Sequence, residues 1–148
     1  MFSRIFSLLV DAVSPVTLAE HLHANGFPVE PHFRGDDLGW TSGELRLPGD
    51  GTSVTLERYL TAEDDLRDDL NTYAAELETH DDNPHTAKLM EHVIQTKQLV
   101  TASLTDDPQQ NALNLAVCRF LAAASQGVYQ IDDEGWFAAE GERLVEVS

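Results

Sequence analysis

The sequence predicts a single α+β domain, and three observations carry that expectation. Helical stripes and alternating strands follow one another without a regular strand–helix–strand repeat; the 148 residues are the length of one compact domain; and no linker or low-complexity tract divides them. The expected architecture is an antiparallel or mixed sheet of about four to five strands, with helices packed mainly on one face, spanning residues 1–148. A chain of this length removes about two-thirds of its unfolded surface from water. Its apolar fraction of 42% exceeds that of a disordered acidic chain.

Residues 1–13, MFSRIFSLLVDAV, fit two periods at once. Phe2, Ile5, Phe6, Leu9 and Val13 recur at helical spacing, while Phe6, Leu8 and Val10 alternate as on a strand buried on both sides; a short helix is the favoured reading. Ser14 as N-cap, Pro15 in the first turn, the stripe Leu18, Ala19 and Leu22, and a stop at Gly26 predict the next helix. Residues 27–39 hold two prolines and two glycines and read as an extended connection. A hairpin follows, with strands at Glu44–Leu47 and Val54–Tyr59, the first extending back as far as Trp40. Its turn is PGDG, where glycine tolerates positive φ and Asp50 suits a tight bend.

The stretch TAEDDLRDDLNTYAAELETHDD reads as a helix capped by Thr61, with Leu66, Leu70, Tyr73, Ala74 and Leu77 as its buried stripe. Glu63, Asp64 and Asp65 then occupy the first turn, where the helix dipole favours each negative charge by about 0.3–1 kcal/mol. Asp68, Asp69, Glu76 and Glu78 face water. HDDNP ends this helix, and a second follows with Leu89, Met90, Val93 and Ile94 inward, giving an αα-hairpin. QLVTASL reads as a strand, DDPQQ as a turn, and NALNLAVCRFLAAASQG as a largely apolar helix ending at Gly127. The tail gives up to three short strands turning at DDEG and AEGE.

The formal charge of -17 repels phosphate backbones and anionic headgroups, so neither nucleic acid nor a membrane is the expected partner. No stretch reaches the roughly 20 apolar residues of a membrane span. The N-terminal run resembles a secretory leader, but Ser7 interrupts it, Asp11 closes it, and no small-residue cleavage site follows in order; it reads as part of the fold. The single cysteine, Cys118, has no internal disulfide partner and lies in an apolar helix, where it is an inert core thiol. The expected location is the cytoplasm.

Motifs that would carry chemistry are missing from the pattern. His21 and His23 project about 200° apart on a helix, and His85 and His92 lie about 10 Å apart along one; with His32 and His80 they form no ligand set. Paired aspartates recur at residues 36–37, 64–65, 68–69, 81–82, 106–107 and 132–133, but none follows the calcium-loop order, and they read as caps and solvating charge. Ser42–Gly43 is not a nucleophile elbow, and there is no phosphate loop. No catalytic residue, cofactor or metal ligand is therefore expected. Trp40, Tyr129, Trp136 and Phe137 are either core or, beside so many carboxylates, part of a surface for a basic or amphipathic protein. On that second reading the partner-binding residues are Asp64, Asp65, Asp68, Asp69, Trp40 and Trp136.

The blocks ERYLTAEDDLRDDLNTYAAELE, LMEHVIQTKQLVTASL and CRFLAAASQGVYQIDDEGWFAAEG, followed by a short terminal strand, resemble in their combined order a family of small bacterial proteins of uncharacterised function. The resemblance covers residues 54–147. It implies a compact α+β domain and transfers no catalytic residue; Arg58, Asn71, Gln98, Gln130 and Asp132 are the polar positions within it whose surroundings matter. The function expected is a non-enzymatic protein-binding or regulatory module with a basic protein as partner. The alternative is a small-molecule enzyme using carboxylates and a histidine in a helix–sheet cleft. A third reading gives the charge no partner at all, only solubility in a saline cell.

Overall fold

The structure, a computed structural model, describes residues 2–49, 52–103 and 107–146; Asp50 of the hairpin turn and Asp106 of DDPQQ lie outside them. In chain order the elements are β1 (Phe2–Ser7), α1 (Pro15–Ala24), β2 (Glu30–Asp36), β3 (Gly39–Arg46), β4 (Ser53–Leu60), α2 (Arg67–Glu78), α3 (Thr86–Ile94), β5 (Gln98–Ser103), α4 (Pro108–Ala124), β6 (Gly127–Ile131), β7 (Gly135–Ala138) and β8 (Arg143–Glu146). The described strands form one antiparallel sheet of eight, ordered β2-β3-β4-β5-β1-β6-β7-β8. The α+β class stands, but the strand count of four to five is corrected to eight.

Two of the added strands come from segments with misleading signals. Residues 2–7 are a strand, not the favoured helix: β1 pairs with β5 on one side and β6 on the other, and Ile5 and Phe6 are fully buried in opposite directions. A central strand buried on both faces has no alternation to separate it from a helix. Residues 30–36 are a strand, not an extended connection. β2 is an edge strand, so Pro31 is tolerated where one row of backbone donors has no ladder to serve, and a bulge at Arg34/Gly35 absorbs the glycine.

Helices cover both faces, which corrects the expectation of one covered face. Leu18 and Leu22 of α1 and Leu113, Val117 and Leu121 of α4 pack with Ile5, Leu45, Val54, Leu56 and Val100. Leu70 and Leu77 of α2 and Leu89 and Val93 of α3 pack with Phe6, Leu99 and Trp136. The neighbours Ile5/Phe6 and Leu99/Val100 belong to different clusters, as the alternation of a strand requires. Burying a side chain such as Phe6 or Leu99 is worth about 1.5–3 kcal/mol, so the second face needs a helical layer of its own.

Capping chemistry accounts for some boundaries. Ser14 Oγ accepts from the Thr17 N–H at the start of α1, and Asp107 does the same for Gln109 at the start of α4. Thr61 does not cap α2. Its hydroxyl donates to the Thr96 carbonyl at 2.8 Å, residues 61–65 form turns, and the helix begins at Arg67.

Candidate partner-binding surface

After β1 the chain crosses one end of the sheet as an irregular strap, residues 8–13. Irregular backbone lying on a sheet needs partners for its carbonyls, and three side chains from adjacent strands supply them. Gln98 at the start of β5 donates from Nε2 to the carbonyls of Leu9 and Asp11 at 3.2 and 3.3 Å. Arg58 of β4 donates from Nη2 to the Val10 carbonyl at 2.8 Å, and the Trp40 indole of β3 donates to the Val13 carbonyl at 2.8 Å. The near end is tied to the turn after α4, where the Leu8 and Leu9 N–H groups donate to the carbonyls of Gln126 and Ser125.

Arg58 is the hub of this arrangement and is only 5% exposed. Its Nε donates to Gln98 Oε1, and its Nη1 to the carbonyls of Leu38 and Trp40 at 3.1 and 3.0 Å. Burial lowers the Arg58 pKa, opposed but not overcome by the charges of Asp36, Asp11 and Asp64. Gly39, with φ +109, leaves room for this: a Cβ there would lie 3.1 Å from Arg58 Nη1 and 2.7 Å from the Ala12 methyl.

The strap and its neighbours leave apolar groups in water. Among the described residues six large apolar side chains are exposed, and four of them, Leu9 (39%), Val10 (47%), Leu38 (54%) and Ile94 (43%), belong to this end of the sheet. Val10 and Leu38 are neighbours, because their carbonyls share the Arg58 guanidinium. Val10 and Ile94 line one shallow groove of about 530 Å³ together with Ala62, Arg67, Thr96 and Lys97. Exposed carboxylates border the patch: Asp11 beside Val10, Asp36 and Asp37 beside Leu38, and Asp64 in the turn after β4. Ile94 was expected inward; Leu89 and Val93 already fill the helix–sheet contact, and α3 ends at Ile94 before the chain turns into β5.

The sequence-predicted binding residues separate into two groups. Asp64 and Asp65 reach this end, though not in the first turn of α2: Asp64 Oδ2 accepts the Leu60 N–H at 2.7 Å to close the turn, and Asp65 holds φ 53. Asp68 and Asp69 are the acidic residues of the first turn and are exposed. They follow Arg67, whose Nη1 donates to the Ile94 carbonyl at 3.0 Å. The tryptophans are core. Trp40 is 6% exposed and Trp136 3%, the latter packed on the opposite face against Phe6, with ring centroids 4.9 Å apart. The apolar members of the surface, Val10, Leu38 and Ile94, were missed; the only hint was Leu38, an isolated leucine in the turn DDLG.

Of the five polar positions within the resemblance, Arg58 and Gln98 form the hub, and Asn71 is exposed on α2. Gln130 and Asp132 join Arg4 elsewhere. Arg4 Nη1 donates to Asp132 Oδ1 at 2.6 Å and to Gln130 Oε1 at 2.9 Å, and the Phe2 N–H donates to Asp132 Oδ2 at 2.9 Å. Burial alone would raise the Asp132 pKa, but the hydrogen bonds from Arg4, Phe2 and Gln130 outweigh it and hold the carboxyl below its usual value.

Several histidines serve the fold. His92 bonds the Phe6 carbonyl and His23 the Val29 carbonyl, each at 2.8 Å, and His21 stacks on Phe120 with centroids 4.1 Å apart. Among the described residues no three His, Cys, Asp or Glu side chains are grouped to hold a metal ion. Cys118 is buried, which pushes its thiol up to about 12 despite a hydrogen bond with Ser3. No described helix is long and apolar enough to cross a membrane. No protein-family model, curated protein or solved structure matches the chain.

Proposed function

We propose that this chain is a non-enzymatic, cytoplasmic protein-binding module whose partner is a basic protein, and that the partner docks at the strap end of the sheet. The observation that carries the reading is the gathering of Leu9, Val10, Leu38 and Ile94, four of the six exposed large apolar side chains among the described residues, inside a border of exposed carboxylates. A single exposed apolar residue needs no explanation, whereas four at one end of a sheet among exposed carboxylates fit the pattern of an interaction surface. Asp11, Asp36, Asp37, Asp64 and Asp65 provide a field that steers a cationic protein to the patch, with Asp68 and Asp69 extending it along α2. Trp40 and Arg58 contribute from beneath by holding the strap and the Leu38 turn in place.

The experiment is capture of partners from the native cell lysate on tagged protein, followed by affinity measurement with the purified partner over a salt series. The expected outcome is a basic partner whose association rate and affinity fall as ionic strength rises. An affinity unchanged between low and high salt would refute electrostatic recognition.

A further inference from the structure

We propose that the groove between the strap and the C-terminal end of α3 receives the C-terminal residue of the partner polypeptide, its apolar side chain against Val10 and Ile94 and its terminal carboxylate on Lys97 and Arg67. This rests on the reading of the chain as a protein-binding module and names the part of the partner that enters it.

The groove is an electrostatic exception. The chain has 9 Lys and Arg against 26 Asp and Glu, yet two of the nine line this one groove, and its described lining holds no carboxylate. Of the other seven cations three pair with a neighbouring carboxylate among the described residues: Arg4 with Asp132, Arg46 with Glu44 and Arg143 with Glu146. Lys97 is exposed and makes no ion pair among the described residues. Arg67 is anchored by one bond, Nη1 to the Ile94 carbonyl, which fixes the guanidinium at the groove wall with further N–H donors for a carboxylate.

The remaining lining selects among anions. Val10, Ile94 and Ala62 are the apolar part of the described lining, and Thr61, Gln95 and Thr96 its neutral polar part. A ligand matching both must present an apolar side chain and a carboxylate on the same carbon, and in a polypeptide only a C-terminal apolar residue does; an internal Asp or Glu has the charge without the apolar group. Capture of a terminal carboxylate is an established mode of peptide recognition. A fatty acid also joins the two features, but a long alkyl chain needs enclosed apolar surface, and only three of the described residues lining this open groove, Val10, Ala62 and Ile94, are apolar. Upstream residues of the partner leave past Val10 toward Asp11 and Asp64, where basic side chains meet carboxylates.

The test is a titration of the isotope-labelled full chain, followed by amide NMR, with N-acetyl-leucine, N-acetyl-leucinamide and octanoate in parallel. The expected result is saturable shifts at Val10, Thr61, Ala62 and residues 94–97 with N-acetyl-leucine, at a Kd of about 1–10 mM, and binding of the amide about fivefold weaker. Lys97→Gln, and separately Arg67→Gln, should each erase that preference while the spectrum stays dispersed. Equal binding of the amide, shifts elsewhere, no shifts, or octanoate binding more tightly than N-acetyl-leucine would each overturn the proposal. These small probes carry no basic residue, so the result is separate from the salt-dependent capture: the groove can fail while the basic partner stands, and the reverse.

Discussion

Arg58 and Arg4 are drawn off opposite faces of the same sheet and are stabilised by different chemistry. Arg58 is nearly inaccessible, and the groups its guanidinium touches are neutral: the Gln98 amide and the carbonyls of Val10, Leu38 and Trp40. Arg4 is partly exposed and is held by a carboxylate, with side-chain exposures of 18% for Arg4 and 28% for Asp132. In a protein of net charge -17 the buried cation is thus satisfied by fixed dipoles and the accessible one by a titratable group. Neutral acceptors do not lose their hydrogen bonds in acid, so the Arg58 contacts with Gln98 and the strap should persist over a wider pH range than the Arg4–Asp132 pair.

The largest break in that comparison is Arg58→Met. It leaves Gln98 Oε1 and three backbone carbonyls without their donor, at an expected cost of about 3–5 kcal/mol, read by urea denaturation; amide exchange of residues 9–13 should accelerate even where the rest of the fold persists. Next is Gly135→Ala, at the first residue of β7, where the strand pairs with Ile131 of β6 and Glu146 of β8. Gly135 holds φ +135, and a Cβ there would lie 2.1 Å from the Val145 carbonyl oxygen, so a loss of about 2–3 kcal/mol is expected from backbone strain and a displaced β8.

Asp132→Asn is smaller, about 1 kcal/mol at neutral pH because the pair is partly solvated. Its pH dependence carries the comparison. The folded Asp132 pKa is depressed, so its contribution is present above the unfolded value of about 3.9 and is lost as pH falls through the lower folded value. The wild-type advantage over Asp132→Asn should shrink below about pH 4, whereas the deficit of Arg58→Met should largely persist in acid, because the hydrogen bonds it loses go to neutral acceptors, and should fall only by what the charges of Asp36, Asp11 and Asp64 contribute. The smallest expected effect is that of Asp68→Lys with Asp69→Lys: both are exposed on α2, and stability should change by under about 0.5 kcal/mol. Marked unfolding would place them in contacts the fold does not contain.

Elements with a single exposed face were legible in the sequence. The α1 stripe with its Ser14 cap, the Leu70–Ala74–Leu77 face of α2 and the three tail strands follow from period and turn chemistry alone. Elements that depend on neighbours were not. β1 buries Ile5 on one face and Phe6 on the other because helices cover both faces of the sheet, and β2 tolerates Pro31 because nothing pairs with its outer edge. For the surface, Asp64 and Asp65 could be named from charge density, but that Val10, Leu38 and Ile94 are exposed, and that two of them meet over one buried arginine, depends on where the strap crosses the sheet. Arg58 and Gln98 lie 40 residues apart, and no local pattern joins them.

The most direct test of the binding surface is the affinity of the captured partner for wild type and for Val10→Ser/Leu38→Ser. Both side chains are exposed, and only their backbone carbonyls serve the strap, so the variant should keep wild-type thermal stability and lose partner affinity about tenfold or more. Full retention of affinity by a folded variant would contradict the account and move the partner to another face.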